Sequence, residues 1–427
     1  MRFYIETLGC KVNQYESAAI SALLAERGHV ASSVGEPCDV AIVNTCAVTG
    51  DASRQSRQTA RRLKKLFPDA KLAVCGCASQ IDPDAARALG ADLIAGTGDK
   101  RGLADAIEKL TRVVGDTPRG TGADPYGDDF ALPREFEPLP SGAVPGRTRA
   151  MLKIQDGCDN FCAYCVIPRA RGRVRSLPVD ACADAARELD DHGYREIVIT
   201  GIEICSYGKD IDAGLTDALS AISAAAPHAR LRLGSLEPSC VTESFVAALA
   251  ALPNLCDHFH LSLQSGSDDV LRRMRRRYTT AEFSAALGLL RKNFPNCGVT
   301  ADVIAGFPGE TDAQHAETAA FLQKCAFSQL HVFPYSRRPG TPAAAMENQL
   351  PNAVKKSRAA ELRAIGGQTR AAFLASQLGK TLDVLFEREA DGASVGHSGN
   401  YLEITERVTG ARGKILPVLI TAEKIPH

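Results

Sequence analysis

The 427 residues contain no stretch of about 20 apolar residues, which excludes a helix long enough to span a bilayer. The opening run Met1-Arg2-Phe3-Tyr4-Ile5-Glu6 has no apolar core and carries a carboxylate, so it does not read as a secretory signal and the expectation is a cytoplasmic protein. An excess of one charge is also missing. Fifty Lys and Arg stand against fifty Asp and Glu, which argues against a basic coat protein for nucleic acid while leaving room for local basic patches. There is no internal repeat and no low-complexity tract. What remains is ordinary globular composition, 45% hydrophobic and 23% charged, enough for two or three domains at roughly 150 residues each.

The pattern of apolar runs divides the chain. Over residues 1–112, the strand-like runs Arg2-Phe3-Tyr4-Ile5, Val40-Ala41-Ile42-Val43 and Lys71-Leu72-Ala73-Val74 alternate with helical spacing at Tyr15 to Arg27 and Ser53 to Phe67. That rhythm predicts an α/β domain on a parallel sheet. Residues 113–146 are rich in Gly and Pro and read as a linker. Over 147–378, six strand candidates (Ala150 to Ile154, Glu196 to Thr200, Arg230 to Ser235, Asp257 to Leu263, Gly298 to Ile304, Gln329 to Pro334) alternate with helices, predicting a (β/α)6 partial barrel. The last part, 379–427, has short strands at Thr381 to Glu387, Gly399 to Thr405 and Ile415 to Thr421, and predicts a small all-β module.

Cysteine is abundant, at fourteen residues, and a reducing compartment does not favour disulfides. Spacing separates the candidates. Gly157-Cys158-Asp159-Asn160-Phe161-Cys162-Ala163-Tyr164-Cys165 follows the first barrel strand, where barrel active sites lie. Its C-x3-C-x2-C spacing lets three thiolates hold three irons of a 4Fe–4S cube and leaves the fourth iron open. Structural zinc wants four protein ligands, and no Cys or His pair follows at finger spacing. In the N-terminal region Cys10, Cys46 and Cys77 each follow a strand candidate and open toward a helix. Strand ends of a parallel sheet share an edge where ligands bind, so these thiols either converge on a second cluster or are three separate buried cysteines. Cys38, Cys182, Cys205, Cys240, Cys256, Cys297 and Cys325 are scattered and read as buried thiols, with Cys205 the least settled because it follows Glu203 on a loop.

The C-x3-C-x2-C loop resembles that of the radical S-adenosylmethionine superfamily. The resemblance implies a cofactor held by the open iron, with S-adenosylmethionine contacts at Tyr164, Gly201, Glu203, Ser235, Glu237, Gln264 and Val303. Glu203, in Thr200-Gly201-Ile202-Glu203, would accept hydrogen bonds from the substrate ammonium, or is an exposed loop carboxylate. The glycines of Val303-Ile304-Ala305-Gly306-Phe307-Pro308-Gly309-Glu310 would let backbone approach the adenine.

The two cysteine triads together resemble the methylthiotransferases, over nearly the whole chain. Supporting runs are His260-Leu261-Ser262-Leu263-Gln264-Ser265-Gly266-Ser267 and Gly306-Phe307-Pro308-Gly309-Glu310-Thr311. Gly9-Cys10-Lys11-Val12-Asn13-Gln14-Tyr15-Glu16 looks like the branch acting on threonylcarbamoyladenosine in tRNA. This likeness implies two 4Fe–4S clusters, on Cys158, Cys162 and Cys165 and on Cys10, Cys46 and Cys77, and two molecules of S-adenosylmethionine per turnover. The family pattern matches Gly76-Cys77-Ala78-Ser79-Gln80, which selects Cys77 over Cys75. It also implies a TRAM-like C-terminal β-barrel, an anticodon stem-loop as partner and a low-potential electron donor, with no DNA or membrane partner; it says nothing of oligomeric state. The rivals are the same chemistry on isopentenyladenosine or on a ribosomal-protein aspartate, and an iron–sulfur RNA-binding protein with no such activity.

Phosphate contacts need cations. Three runs supply them: Arg61-Arg62-Leu63-Lys64-Lys65, Arg169-Ala170-Arg171-Gly172-Arg173-Val174-Arg175 and Arg272-Arg273-Met274-Arg275-Arg276-Arg277. Each is otherwise a solvated face. In the C-terminal module only Tyr401 and Phe386 are aromatic, so an RNA role there rests on the resemblance.

Overall fold

The computed structural model describes residues 1–112, 131–140 and 147–425; the linker expected at 113–146 lies largely outside them. The chain forms two compact units. One holds Met1–Val144, Lys153–Phe161 and Cys165–Leu177, the other Pro145–Leu152, Cys162–Tyr164 and Pro178–His427.

The first unit is built on a five-stranded parallel sheet of β1 (Arg2–Thr7), β2 (Val30–Ala31), β3 (Val40–Thr45), β4 (Lys71–Gly76) and β5 (Leu93–Ile94), in the order β2-β1-β3-β4-β5. Helices α1 (Lys11–Glu26), α2 (Gly50–Leu66), α3 (Cys77–Ile81), α4 (Pro83–Arg87) and α5 (Lys100–Arg112) connect or follow the strands. β3 is buried along its whole length, as a central parallel strand covered on both faces must be. Phe3, Ile20, Leu24, Ile42 and Ile107 pack one face of the sheet, and Val43, Leu63, Leu72 and Val74 the other. The sequence pattern does not reveal the edge strands β2 and β5, because two residues are too few to show alternation.

The barrel starts at β6 (Arg149–Lys153). Next, β7 (Gln155–Asp156) pairs antiparallel with β8 (Arg175–Ser176) inside the first unit, and α6 (Ile167–Arg171) lies between them in sequence. In the second unit follow α7 (Val179–Asp191), β9 (Glu196–Thr200), α8 (Leu215–Ala225), β10 (Arg230–Leu233), β11 (Ser235–Leu236), α9 (Glu243–Ala250), β12 (His258–Gln264), α10 (Asp268–Arg273), α11 (Thr280–Asn293), β13 (Gly298–Ala305), α12 (Asp312–Cys325) and β14 (Gln329–Pro334). The strands form two sheets, β10-β9-β6 and β11-β12-β13-β14. The third predicted strand is thus split at Gly234, where a Cβ would sit 3.0 Å from the Ile199 carbonyl oxygen. Thr279 and Thr311 close capping boxes on α11 and α12.

After α13 (Pro342–Ala345) and α14 (Asn352–Gln377) comes an antiparallel sheet of β15 (Thr381–Ala390), β16 (Ala393–Ser398), β17 (Glu403–Glu406) and β18 (Ile415–Leu419), ordered β17-β16-β15-β18. Sequence reading places a strand at Gly399 to Thr405; its C-terminal part is β17, and the pattern does not reveal β16 ahead of it. The Asp391-Gly392 pair, both at positive φ, turns the chain directly from β15 into β16. This module packs under the barrel. Arg232 bonds Glu196 and the carbonyl oxygens of Ser398 and Gly399, while Arg149 bridges Glu196 and Glu387. Of the module's two aromatics, Tyr401 is stacked between His258 and His397 with the Arg232 guanidinium over its ring, and Phe386 is wholly buried.

Candidate functional site

Cys10, Cys46 and Cys77 follow the C-terminal ends of β1, β3 and β4, three consecutive strands in the sheet. The order β2-β1-β3-β4-β5 reverses direction between β1 and β3, so Cys10 and Cys46 flank the crevice where open parallel sheets bind ligands. Cys10 is the exposed N-cap of α1, while Cys46 and Cys77 are buried. Gly9 permits this arrangement. It sits at φ +101°, and a Cβ there would come within 2.6 Å of the Cys46 Sγ.

Side chains fix the loops beneath the thiols. Asn13 Nδ2 donates to the carbonyl oxygens of Leu8 (2.8 Å) and Thr45 (2.9 Å), and Ser56 Oγ accepts from the Cys46 N–H. Thr45 Oγ1 donates to the Cys75 carbonyl and accepts from Ala78 N. Burial pushes the Cys77 thiol up to about 12; Arg171 opposes the rise, and charge on Cys10 and Cys46 adds to it, so the three sulfurs share one electrostatic neighbourhood. Cys75 belongs elsewhere, fully buried in the core cluster with Phe3, Ile20 and Ile42. Thiols are the donors that a four-iron cluster takes, and a metal bound by them would displace their protons.

Behind Cys77 lies a buried ionic network. Arg171 is wholly inaccessible to solvent. Its Nη1 and Nη2 reach Glu16 at 2.7 and 3.0 Å, Nη2 reaches Asn13 Oδ1 at 2.8 Å, and Nη1 reaches Asp156 at 3.2 Å. Its Nε donates to Cys77 Sγ at 3.4 Å. Lys153 bonds both Glu16 and Asp156, and Arg175 lies 3.4 Å from Asp156. Three cations face two carboxylates, which leaves the neighbourhood of the thiols positive. The central arginine run is therefore divided: Arg171 and Arg175 are buried in this network, and only Arg169 and Arg173 remain exposed for phosphate.

Burial alone would raise the Glu16 pKa, but Arg171 and then Lys153 bring it down to about 2 from an ordinary value of 4.5. A carboxylate held below its unfolded value stabilises the fold above the unfolded pKa and loses that contribution as pH falls toward the folded one. We expect stability from this group to be complete above about pH 4.5 and to decline toward pH 2, by about 3 kcal/mol. Urea midpoints measured across that window would show the decline, and Glu16→Gln should lack it. The same slope in both proteins would refute the assignment.

In the second unit, Cys162 Sγ accepts from Arg276 Nη1 at 3.3 Å. Arg276 also pairs with Glu237 and lies over the Tyr278 ring. Only 5% of its side chain is accessible, so this member of the third basic run is withdrawn from the surface, whereas Arg272, Arg275 and Arg277 stay exposed. Glu203 caps the short helical turn Ile204–Ser206 and accepts from Cys205 N at 3.2 Å. Burial, then the Glu237 charge, raise its pKa to about 7, with Arg276 opposing. It is thus half-buried, not the exposed loop carboxylate of the alternative reading.

Gln264 ends β12 at a bulge and at φ +66°, strained for a residue other than glycine. Tyr164 packs against Phe307, Tyr335 and neighbours. Ser235 is exposed on β11, Gly201 half-buried after β9, and Val303 fully buried. Cys158 and Cys165 are half-buried. Sequence reading counts Arg171 and Arg276 with the phosphate binders. No linear signal separates a buried arginine from its exposed neighbours one or two residues away.

A family model described as the radical SAM superfamily matches residues 152–322, so the barrel is that of a radical S-adenosylmethionine enzyme, a class that carries a 4Fe–4S cluster and S-adenosylmethionine. A second, described as uncharacterized protein family UPF0004, matches residues 2–96. Among solved structures, the radical S-adenosylmethionine methyltransferase TsrM from Kitasatospora setae aligns with a TM-score of 0.59 at 16% identity, over 80% of this chain and 75% of its own, a likeness of fold alone. Threonylcarbamoyladenosine tRNA methylthiotransferase MtaB of Bacillus subtilis is 38% identical, covering 99% of this chain and 94% of its own. The protein of the same name from Thermotoga maritima is 37% identical over 90% and 86%. tRNA-2-methylthio-N(6)-dimethylallyladenosine synthase of Symbiobacterium thermophilum is 33% identical over 98% and 92%. The chain belongs to the tRNA methylthiotransferase family. No helix among the described residues is long and apolar enough to cross a membrane.

Proposed function

We propose that this protein converts N6-threonylcarbamoyladenosine at position 37 of tRNA, next to the anticodon, to its 2-methylthio derivative in the cytoplasm. What carries the reading is full-length similarity to relatives of that name, at 38 and 37% identity, above the 33% of the dimethylallyladenosine enzyme. Cys158, Cys162 and Cys165 would hold the first 4Fe–4S cluster, and Cys10, Cys46 and Cys77 a second. When bound, the first cluster with S-adenosylmethionine supplies the radical that removes the carbon-2 hydrogen, and the second supplies sulfur.

The chain's own groups do the holding. Glu203, poised near pH 7 by burial and by Glu237, would return to its charged form beside a substrate ammonium. Exposed Arg61, Arg62, Lys64 and Lys65 on α2, with Arg169, Arg173, Arg272, Arg275 and Arg277, offer cations to anticodon stem-loop phosphates. A low-potential electron donor completes the requirement.

The test is mass spectrometry of nucleosides from total tRNA of cells with and without the gene. The expected result is loss of 2-methylthio-threonylcarbamoyladenosine with a matching rise in threonylcarbamoyladenosine. Unchanged levels of that nucleoside would overturn the substrate assignment. An iron count near eight per reconstituted chain is expected, and near four would remove the second cluster.

A further inference from the structure

In the second unit, His260 on β12, Asp302 on β13 and His331 on β14 present donor atoms that all lie within 4.8 Å of one another. Register puts them there. His260 pairs with Thr300, and Asp302, two residues further along β13, pairs with His331. Residues two apart on a strand share a face, so all three side chains stand on the face opposite that of the buried Leu261, Ala301 and Val332.

Their protons are constrained by Thr300. Its Oγ1 contacts His260 Nδ1 at 2.8 Å and His258 Nε2 at 3.2 Å. One hydroxyl proton cannot serve both rings. If it goes to His258, His260 must donate from Nδ1, and in the neutral imidazole the Nε2 lone pair then faces Asp302 Oδ2 at 3.4 Å. Two acceptors then confront each other. As a charge-assisted hydrogen bond the separation is long, since such bonds run about 2.7–2.9 Å. It does match the edge of a tetrahedron whose bonds are about 2.0–2.1 Å, the spacing of two ligands on zinc.

We propose that His260, Asp302 and His331 form a site for a divalent cation of the zinc class, separate from the cysteine triads. The Nδ1 bond to Thr300 is the partner that sets the tautomer of a ligating imidazole. Three protein ligands of nitrogen and oxygen leave one position open for water or an oxygen donor, as in zinc sites that act on ligands. The site does not rest on the tRNA substrate assignment.

The test uses full-length protein with its clusters loaded anaerobically, given zinc alone and then desalted. We expect about one zinc per chain, with a zinc-edge X-ray absorption shell of nitrogen and oxygen at about 2.0–2.1 Å and no sulfur near about 2.3 Å. His331→Ala and the nearly isosteric Asp302→Asn should each reduce retained zinc at least about tenfold while iron content stays unchanged; that loss is about 1.4 kcal/mol or more in binding. No retained zinc in the unsubstituted protein would overturn the proposal in favour of an imidazolium–carboxylate pair. A sulfur shell would assign the metal to cysteines instead, and retention by both variants would also overturn it.

Discussion

Alanine at Cys158, Cys162 and Cys165 together is expected to lower the iron of reconstituted protein from about eight to about four per chain and to take 5′-deoxyadenosine formation below detection. The loss should be complete, not graded. An open iron needs the other three irons anchored, and these thiols sit on one loop between Cys158 and Cys165, with no other cysteine within it. Alanine at Cys10, Cys46 and Cys77 is the matching control: it should also remove about four irons yet leave reductive cleavage of S-adenosylmethionine in place. Deoxyadenosine produced by the first triple variant would refute the radical assignment. Deoxyadenosine absent from the unsubstituted protein would favour the binding-only rival.

Arg171→Met should destabilise the first unit by about 3–5 kcal/mol, a large share of the ~5–15 kcal/mol that a folded domain possesses. The cost does not come from a single contact. Glu16 and Asp156 are both buried, and removing the guanidinium takes away the bidentate partner of one and a partner of the other. Arg171→Lys should recover little, because an ammonium cannot satisfy Glu16, Asn13 and Cys77 at once in the geometry of a planar fork. Urea unfolding gives the magnitude. A cycle with Glu16→Gln should show the two effects to be non-additive by about 0.5–3 kcal/mol, as expected within one network. A loss under about 1 kcal/mol, or simple additivity, would mean that Arg171 is dispensable to the fold.

Much of this protein is written locally. The C-x3-C-x2-C loop states its donor set in its spacing, and strands such as Glu196–Thr200 and Gln329–Pro334 stand at their predicted bounds because each is one continuous run between turn residues. The Gly-Cys steps at Gly9-Cys10 and Gly76-Cys77 likewise mark where strand gives way to helix. Short-range steric and hydrogen-bonding preferences decide such features, so neighbouring residues suffice to read them.

Other features depended on residues distant in sequence. Cys75 and Cys77 differ by two positions in the chain, yet one packs in an apolar core and the other beside Arg171 and the thiols of Cys10 and Cys46. Arg171 and Arg173 belong to one basic run, and only folding sends the first 155 residues back along the chain to Glu16 while the second meets solvent. His260, Asp302 and His331 form no motif at all; parallel register across three strands assembles them. Charge burial and ligand convergence are properties of three-dimensional proximity. The sequence by itself determined the donor types, the alternation of the long strands with helices and the family. The tertiary structure alone decided which cations face water, which cysteine enters the apolar core, and which histidines stand near Asp302, because each outcome depends on Coulomb and packing terms between segments the sequence keeps apart.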